Sequence, residues 1–298
     1  MFMKAERKKV KLRLALCGPA GSGKTYSALL IAQGLGGGRI AMIDTEHGSG
    51  ELYAHLSNYD VAPLTPPFTP SRYIQLIEEA EKASYDVLII DSLSHAWSGE
   101  GGVLDMKDAA TRASKSGNSY YAWREVTPEH NKLVETMLQV DLHLIATLRS
   151  KTAYEVVTEN GKAKPVKVGL TPVQREGIEY EFTVVFDLSI DGHIATVTKD
   201  RTSLFDSRHF TPNPETGQRL LTWLEKGQEQ ETVPTVSLDT YLERLGRIDN
   251  IFELRNWWYK HKQEFDMLSL THRSSLVEAI NAKKRAFENG QKEILFSD

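Results

Sequence analysis

The chain has 298 residues, 40% of them hydrophobic, enough for one large domain or a domain with a small appendage, which excludes a disordered protein. A formal net charge of −4 excludes a uniformly basic nucleic-acid coat, so any contact with nucleic acid has to use local patches. Cys17 is the single cysteine, which excludes an intrachain disulfide and a cysteine zinc site. The opening MFMKAERKKV has no apolar run behind it for a signal peptide or membrane span, and the expectation is a soluble, cytoplasmic protein. VKLRLALCG then alternates and turns apolar, as a strand does, and TYSALLIAQGL has helical spacing that stops at the glycines 36–38. RIAMID reads as a short strand. TPPFTP must be extended, and Thr69 or Ser71 can cap the helix RYIQLIEEAEKA. YDVLIID is apolar on both faces, as in a parallel sheet covered by helices. SGEGGVLDMKDAATRASKSGNSYYAW reads as a long Gly/Ser-rich loop, residues 127–139 as a helix and DLHLIATL as another buried strand.

This alternation of strands and helices predicts an α/β fold with a mainly parallel sheet. Two antiparallel hairpins extend it. AYEVVTENGKAKPVKVG turns at Asn160-Gly161, and EYEFTVVFDLSIDGHIATVTKDR turns at Asp191-Gly192. The predicted core is therefore 1–226, with a polar linker at 227–236 and a helical C-terminal module at 237–298. In that module Leu242, Leu245, Ile248, Ile251, Leu254, Trp257 and Trp258 recur at helical spacing.

GPAGSGKT matches G-x-x-x-x-G-K-[ST] between a strand and a helix, the context in which that motif cradles a nucleoside triphosphate. Backbone N–H groups of Gly18, Pro19, Ala20, Gly21, Ser22, Gly23, Lys24 and Thr25, apart from the proline, wrap the phosphates, with Tyr26 adjoining. Lys24 reaches the β- and γ-phosphates, and the Thr25 hydroxyl joins a magnesium ion. Asp91 closes VLIID at the carboxyl end of a parallel strand, where a magnesium-bound water is held. The lesser alternative for Asp91 is a cap on the following helix, and Ser92 could serve either way. Hydrolysis needs a further carboxylate to orient or deprotonate water, and Glu46 in MIDTEHGSGELY is the candidate. Asp44 sits nearer the strand body and is placed to fix the loop. His47 reads as a loop residue, with no His or Cys partner at metal spacing. Lys199 and Arg201 stand two apart at the end of a strand and so aim the same way, at an anion.

MIDTEHGSGELYAH resembles the stretch of RecA recombinases that carries the catalytic glutamate, and the resemblance covers roughly residues 10–225. It implies a RecA-like P-loop NTPase core with ATP and Mg2+, Glu46 as the water-activating base and Tyr53 as the platform for adenine. RecA-like ATPases also carry a Lys-x-Lys or Lys-x-Arg pair that reaches the γ-phosphate of the adjacent subunit; here that pair is Lys199 and Arg201, implying a homo-oligomer. More narrowly, the chain resembles the short Sak-type single-strand-annealing ATPases of bacteriophages, with single-stranded DNA, and a single-strand-binding protein, as implied partners. Three departures stand out: Thr147 occupies the place of the γ-phosphate-sensing glutamine, RecA's amino-terminal packing module has no counterpart, and Gly50 stands where RecA has an aspartate near adenine.

The resemblance also implies that the loops after the two strands beyond the base face DNA. Residues 149–175 hold Arg149, Lys151, Lys162, Lys164, Lys167 and Arg175 against Glu155 and Glu159, a local excess of +4 that can track phosphates without reading bases. Lysines that blunt an exposed sheet edge are the alternative. Tyr120, Tyr121 and Trp123 are available either for base stacking or for packing. The expected function is DNA-stimulated ATP hydrolysis in recombination. A helicase-type motor and an ATP-gated scaffold with little turnover are the rivals.

Overall fold

The computed structural model describes residues 7–36, 38–114, 119–159, 162–227, 238–265, 268 and 270–295. The backbone alone is given for 119, 152–159, 162–169, 263, 270, 271 and 289–295. The chain divides into two units, Met1–Gln228 and Glu229–Asp298.

In the first unit the elements run β1 (Arg13–Gly18), α1 (Lys24–Gly34), β2 (Ile40–Asp44), β3 (Tyr59–Pro63), α2 (Pro70–Lys82), β4 (Val87–Asp91), α3 (Ser94–Ser98), α4 (Val103–Ala113), α5 (Ser119–Gln139), β5 (His143–Glu159), β6 (Lys162–Pro172), β7 (Val184–Leu188), β8 (Ala195–Asp200), β9 (His209–Phe210) and α6 (Pro214–Leu224). The sheet order is β3-β2-β4-β5-β1-β7-β8-β9, and β6 hangs from β5. Strands from β3 to β7 pair in parallel, whereas β8, β9 and β6 add antiparallel pairs. This is the expected α/β core, a mainly parallel sheet extended by antiparallel strands.

Alternation along the strands builds a core on each face. On one side Ala15, Cys17, Ile43, Leu88, Ile90 and Leu144 meet Tyr73, Ile77, Leu133 and Met137 from α2 and α5. On the other, Leu14, Leu16, Met42, Val87, Ile89 and Ile145 meet Leu29 and Ile31 of α1 and Leu220 of α6. Helices α1 and α6 approach backbone to backbone: a Cβ on Gly34 would run into the Pro214 carbonyl, and one on Gly217 into that of Ile31. Arg13, 7% exposed, donates to the carbonyls of Leu138 (3.0 Å), Val140 (2.5 Å) and Leu142 (2.7 Å), tying the end of α5 to β1. Burial lowers its pKa to about 10.

Several expectations are corrected. The long loop expected after residue 97 contains α4, and α5 starts at Ser119 rather than 127, running through Pro128. The flanking glycines and serines hide an Ala-rich helix whose Asp105 carboxylate accepts from Gly101 N at 2.9 Å. Thr69 holds the N-cap position of α2 without a side-chain cap bond; its hydroxyl pairs with that of Ser71 at 3.0 Å instead. Residues 179–181, expected as strand, lie in a 3-10 turn (Ile178–Glu181) entered through Gly177 at φ +86°. The predicted Asn160-Gly161 turn lies outside the described residues, and its flanking strands pair antiparallel from Ser150↔Pro172 to Glu159↔Lys162. Among the described residues no helix is long and apolar enough to cross a membrane.

The second unit contains α7 (Leu238–Gly246), α8 (Ile251–Phe265) and α9 (Leu270–Leu295). Tyr241, Phe265 and Leu276 form one small core, and Leu245, Ile248 and Leu254 another. Trp257 packs on both as a partly buried side chain.

Candidate functional site

Strand β1 ends mid-sheet at Gly18, between β5 and β7. The chain then turns into α1 through Gly21 at φ +79° and Gly23 at φ +83°, a left-handed conformation that suits glycine. Gly18 has no room for a side chain, because a Cβ there would meet Ser22 Oγ and, at 2.8 Å, the Leu188 carbonyl. Ser22 is fully buried and its Oγ has no hydrogen-bond partner. Lys24 Nζ donates to the Pro19 carbonyl at 2.8 Å, folding the ammonium back over its own loop. Burial lowers the Lys24 pKa, opposed by the nearby charges of Asp91 and Glu46. Turned N–H groups, an orphaned buried hydroxyl and an ammonium hydrogen-bonded to a neutral carbonyl fit a polyphosphate.

Asp91 lies at the end of β4 and is 2% exposed. Its Oδ2 accepts from Thr25 Oγ1 at 2.6 Å and its Oδ1 from Thr147 Oγ1 at 2.5 Å. Burial raises its pKa, and those two hydroxyls oppose the rise. A buried carboxylate whose side-chain donors are neutral hydroxyls is only partly compensated, and it fits a divalent cation shared with Thr25. Thr147, itself fully buried, spends its hydroxyl on Asp91.

Register places Asp44 of β2 beside Asp91. Asp44 Oδ1 accepts from Glu46 N at 2.6 Å and its Oδ2 from Gly50 N at 3.2 Å, so this carboxylate organises the loop. Glu46 is gripped from across the sheet, where Arg149 Nε donates to Oε1 at 2.8 Å and Arg149 Nη2 to Oε2. Burial alone would raise the Glu46 carboxyl, but the hydrogen bonds and charge of Arg149, with a further contribution from His95, bring it below its ordinary value. His95 Nδ1 lies 2.6 Å from Thr45 Oγ1, and its ring stacks on Phe68 at 4.9 Å. Arg149, expected to contact DNA, is thus engaged at the candidate base.

Tyr53, the expected adenine platform, is partly buried and meets Tyr26 edge-on, with ring centroids 5.7 Å apart. Lys199 and Arg201 do point together. Lys199 Nζ donates to the carbonyls of Glu179 (2.9 Å) and Tyr180 (2.5 Å), and Arg201 Nη2 to that of Tyr180 (3.1 Å). The β7–β8 register shift that pairs Val185 with Lys199 and Phe186 with Val197 precedes them.

Of the basic hairpin candidates, Lys151 is exposed and Arg175 donates to Asn131 Oδ1 at 3.1 Å. The side chains of Lys162, Lys164 and Lys167 lie outside the described residues. Tyr120 and Tyr121 are exposed at 74% and 55%, whereas Trp123 stacks on Trp97 at 5.8 Å, which separates the two tyrosines from the packed indole.

Sequence reasoning missed Gln174. It is 8% exposed, donates to the Leu93 carbonyl at 3.2 Å, accepts from Arg175 N at 2.8 Å and pairs with His130 Nε2 at 3.1 Å. No local motif marks it, because two of its three partners, Leu93 and His130, come from distant segments.

The profile of the family described as AAA domain matches residues 10–227. No curated protein sequence matches the chain. Among solved structures, the crystal structure of the RadB recombinase aligns with 66% of this chain and 83% of its own, at 16% identity and a TM-score of 0.38.

Proposed function

The chain belongs to the AAA domain family, and from that premise we propose that it binds and hydrolyses ATP while acting on single-stranded DNA in recombination, by strand annealing of the phage Sak type. The observation that carries the reading is the convergence of three strand ends: Gly18 opening the phosphate loop, Asp91 bonded to Thr25, and Asp44 holding the loop that bears Glu46.

In this reading Lys24 leaves the Pro19 carbonyl for phosphate oxygens, which outbid a neutral carbonyl for its charge. Magnesium, when bound by Thr25 and Asp91, supplies neutralisation of charge on the phosphates. Glu46 orients water and takes its proton. Tyr53, with Tyr26 against it, presents a face to the base. Lys199 and Arg201 exchange the carbonyls of Glu179 and Tyr180 for the γ-phosphate of a neighbouring copy, so that turnover depends on assembly. Lys151 and the lysines of the β5–β6 hairpin track the DNA backbone.

Steady-state ATP hydrolysis by the full chain, with and without single-stranded DNA, tests the reading. Modest turnover stimulated by DNA supports an annealer. Fast translocation-coupled turnover would replace it with a motor, and flat, near-zero turnover with an ATP-gated scaffold.

A further inference from the structure

Arg149 occupies a junction. It is the last β5 residue paired with β1, opposite Gly18 of the phosphate loop. Its N–H donates to Ser94 Oγ at 2.9 Å, at the start of the helix that follows Asp91, and its carbonyl accepts from Val173 N at 2.6 Å, on the returning side of the hairpin. The side chain closes on both carboxylate oxygens of Glu46. A single residue therefore touches the phosphate loop, the segment after Asp91, the root of the basic hairpin and the candidate base. The returning strand has its own tie, because Gln174 donates to the Leu93 carbonyl.

A general base must offer a basic oxygen to water, and a bidentate guanidinium engages a lone pair on each and makes both less basic. The contact is nonetheless reversible, since the Arg149 side chain remains 47% exposed and Glu46 24%. A phosphate backbone arriving on the hairpin brings the kind of partner to which guanidinium binds best. We propose that Arg149 is a positioning residue that latches Glu46 away from its water, and that single-stranded nucleic acid on the β5–β6 hairpin releases the latch by drawing Arg149 to phosphate. This inference rests on the reading of Glu46 as the base.

The test uses ATP hydrolysis by the full chain, with and without saturating oligothymidylate, for the parent, Arg149→Ala, Arg149→Lys and Glu46→Gln. Removing the latch should raise kcat without DNA about fivefold, the weight of one partly exposed ion pair, with KM for ATP unchanged and stimulation by oligothymidylate largely lost. The unchanged KM reports an intact fold, and damage to the fold does not raise kcat. Arg149→Lys should fall between the two, because an ammonium is a point charge that cannot span both oxygens. Arg149→Ala with kcat at or below the parent's and stimulation retained, beside an inactive Glu46→Gln, overturns the latch alone. An active Glu46→Gln protein overturns the base assignment, and the latch falls with it.

Discussion

A carboxylate and a hydroxyl can each be idle or engaged, and at the candidate site the difference is set by single hydrogen bonds. Asp44 accepts from two backbone N–H groups and is consumed by the loop it shapes. Asp91 accepts from two hydroxyls, and Glu46 is paired with a guanidinium. Replacing Glu46 by Gln keeps size and loop contacts but removes the basic oxygen. We expect ATP binding to persist while turnover falls by about 10²–10⁴, the usual weight of a general base. Lys24→Ala should instead weaken binding itself. Nucleotide affinity and single-turnover hydrolysis separate the two, and parental hydrolysis by Glu46→Gln would remove Glu46 from the role. The phosphate loop was legible because its residues are contiguous and each glycine has a local steric reason. The partner of Glu46 was not legible, because Arg149 lies 103 positions away and only strand order brings them together.

Strands carry the next level of argument. The sheet could be read from apolar runs such as LIID and LIAT, since both faces are covered and each residue has a burial reason. Strand β3 escaped notice because Tyr59–Pro63 is an edge with half-exposed residues and a terminal proline. At the β1–β5 seam, His143 Nδ1 accepts from Leu12 N at 3.0 Å and the ring is 8% exposed. Burial lowers its pKa from 6.5 to about 4, with Lys11 and Arg13 adding to the shift and Asp86 and Asp141 opposing it. The unfolded chain therefore takes up this proton first. Stability from the neutral ring is complete above pH 6.5 and drains away toward pH 4, by roughly 3 kcal/mol in all. Urea unfolding of the parent and of His143→Gln at several pH values checks this: the variant should lose less between 6.5 and 4, and identical pH dependence would refute it. At the hairpin, neutralising Lys162, Lys164 and Lys167 together should flatten the salt dependence of single-stranded DNA binding by about two to three units. An unchanged slope would move the DNA path elsewhere, and the exposed Tyr120 and Tyr121 at the start of α5 are the next surface to examine.

For the whole molecule, composition and linker polarity indicated two parts, and the contacts divide the chain at Gln228. What no single chain can display is the use of Lys199 and Arg201, whose present acceptors are carbonyls of their own 3-10 turn. If they serve a neighbour, an Arg201→Ala protein has a sound site but no arginine to lend, and a Glu46→Gln protein the reverse. Each alone should be nearly inactive, a lost trans cation costing about 10³-fold. Mixed at equal ratio with single-stranded DNA, they should regain part of the activity, increasingly so at higher protein concentration. A mixture no better than its parts, in assemblies shown to exchange subunits, would leave the pair as local charges. One further consequence follows from β5, which runs unbroken for 17 residues from the middle of the sheet to Glu159. Beyond Arg149 it extends over ten residues, about 33 Å at the rise of a strand. It is a lever whose fulcrum is the sheet. A tilt of about 10° at the fulcrum would sweep the tip through about 6 Å, against a rise of roughly 3.4 Å per nucleotide along the axis of a duplex. A small adjustment beside the phosphate loop would thereby be geared up into a displacement on the scale of nucleotides.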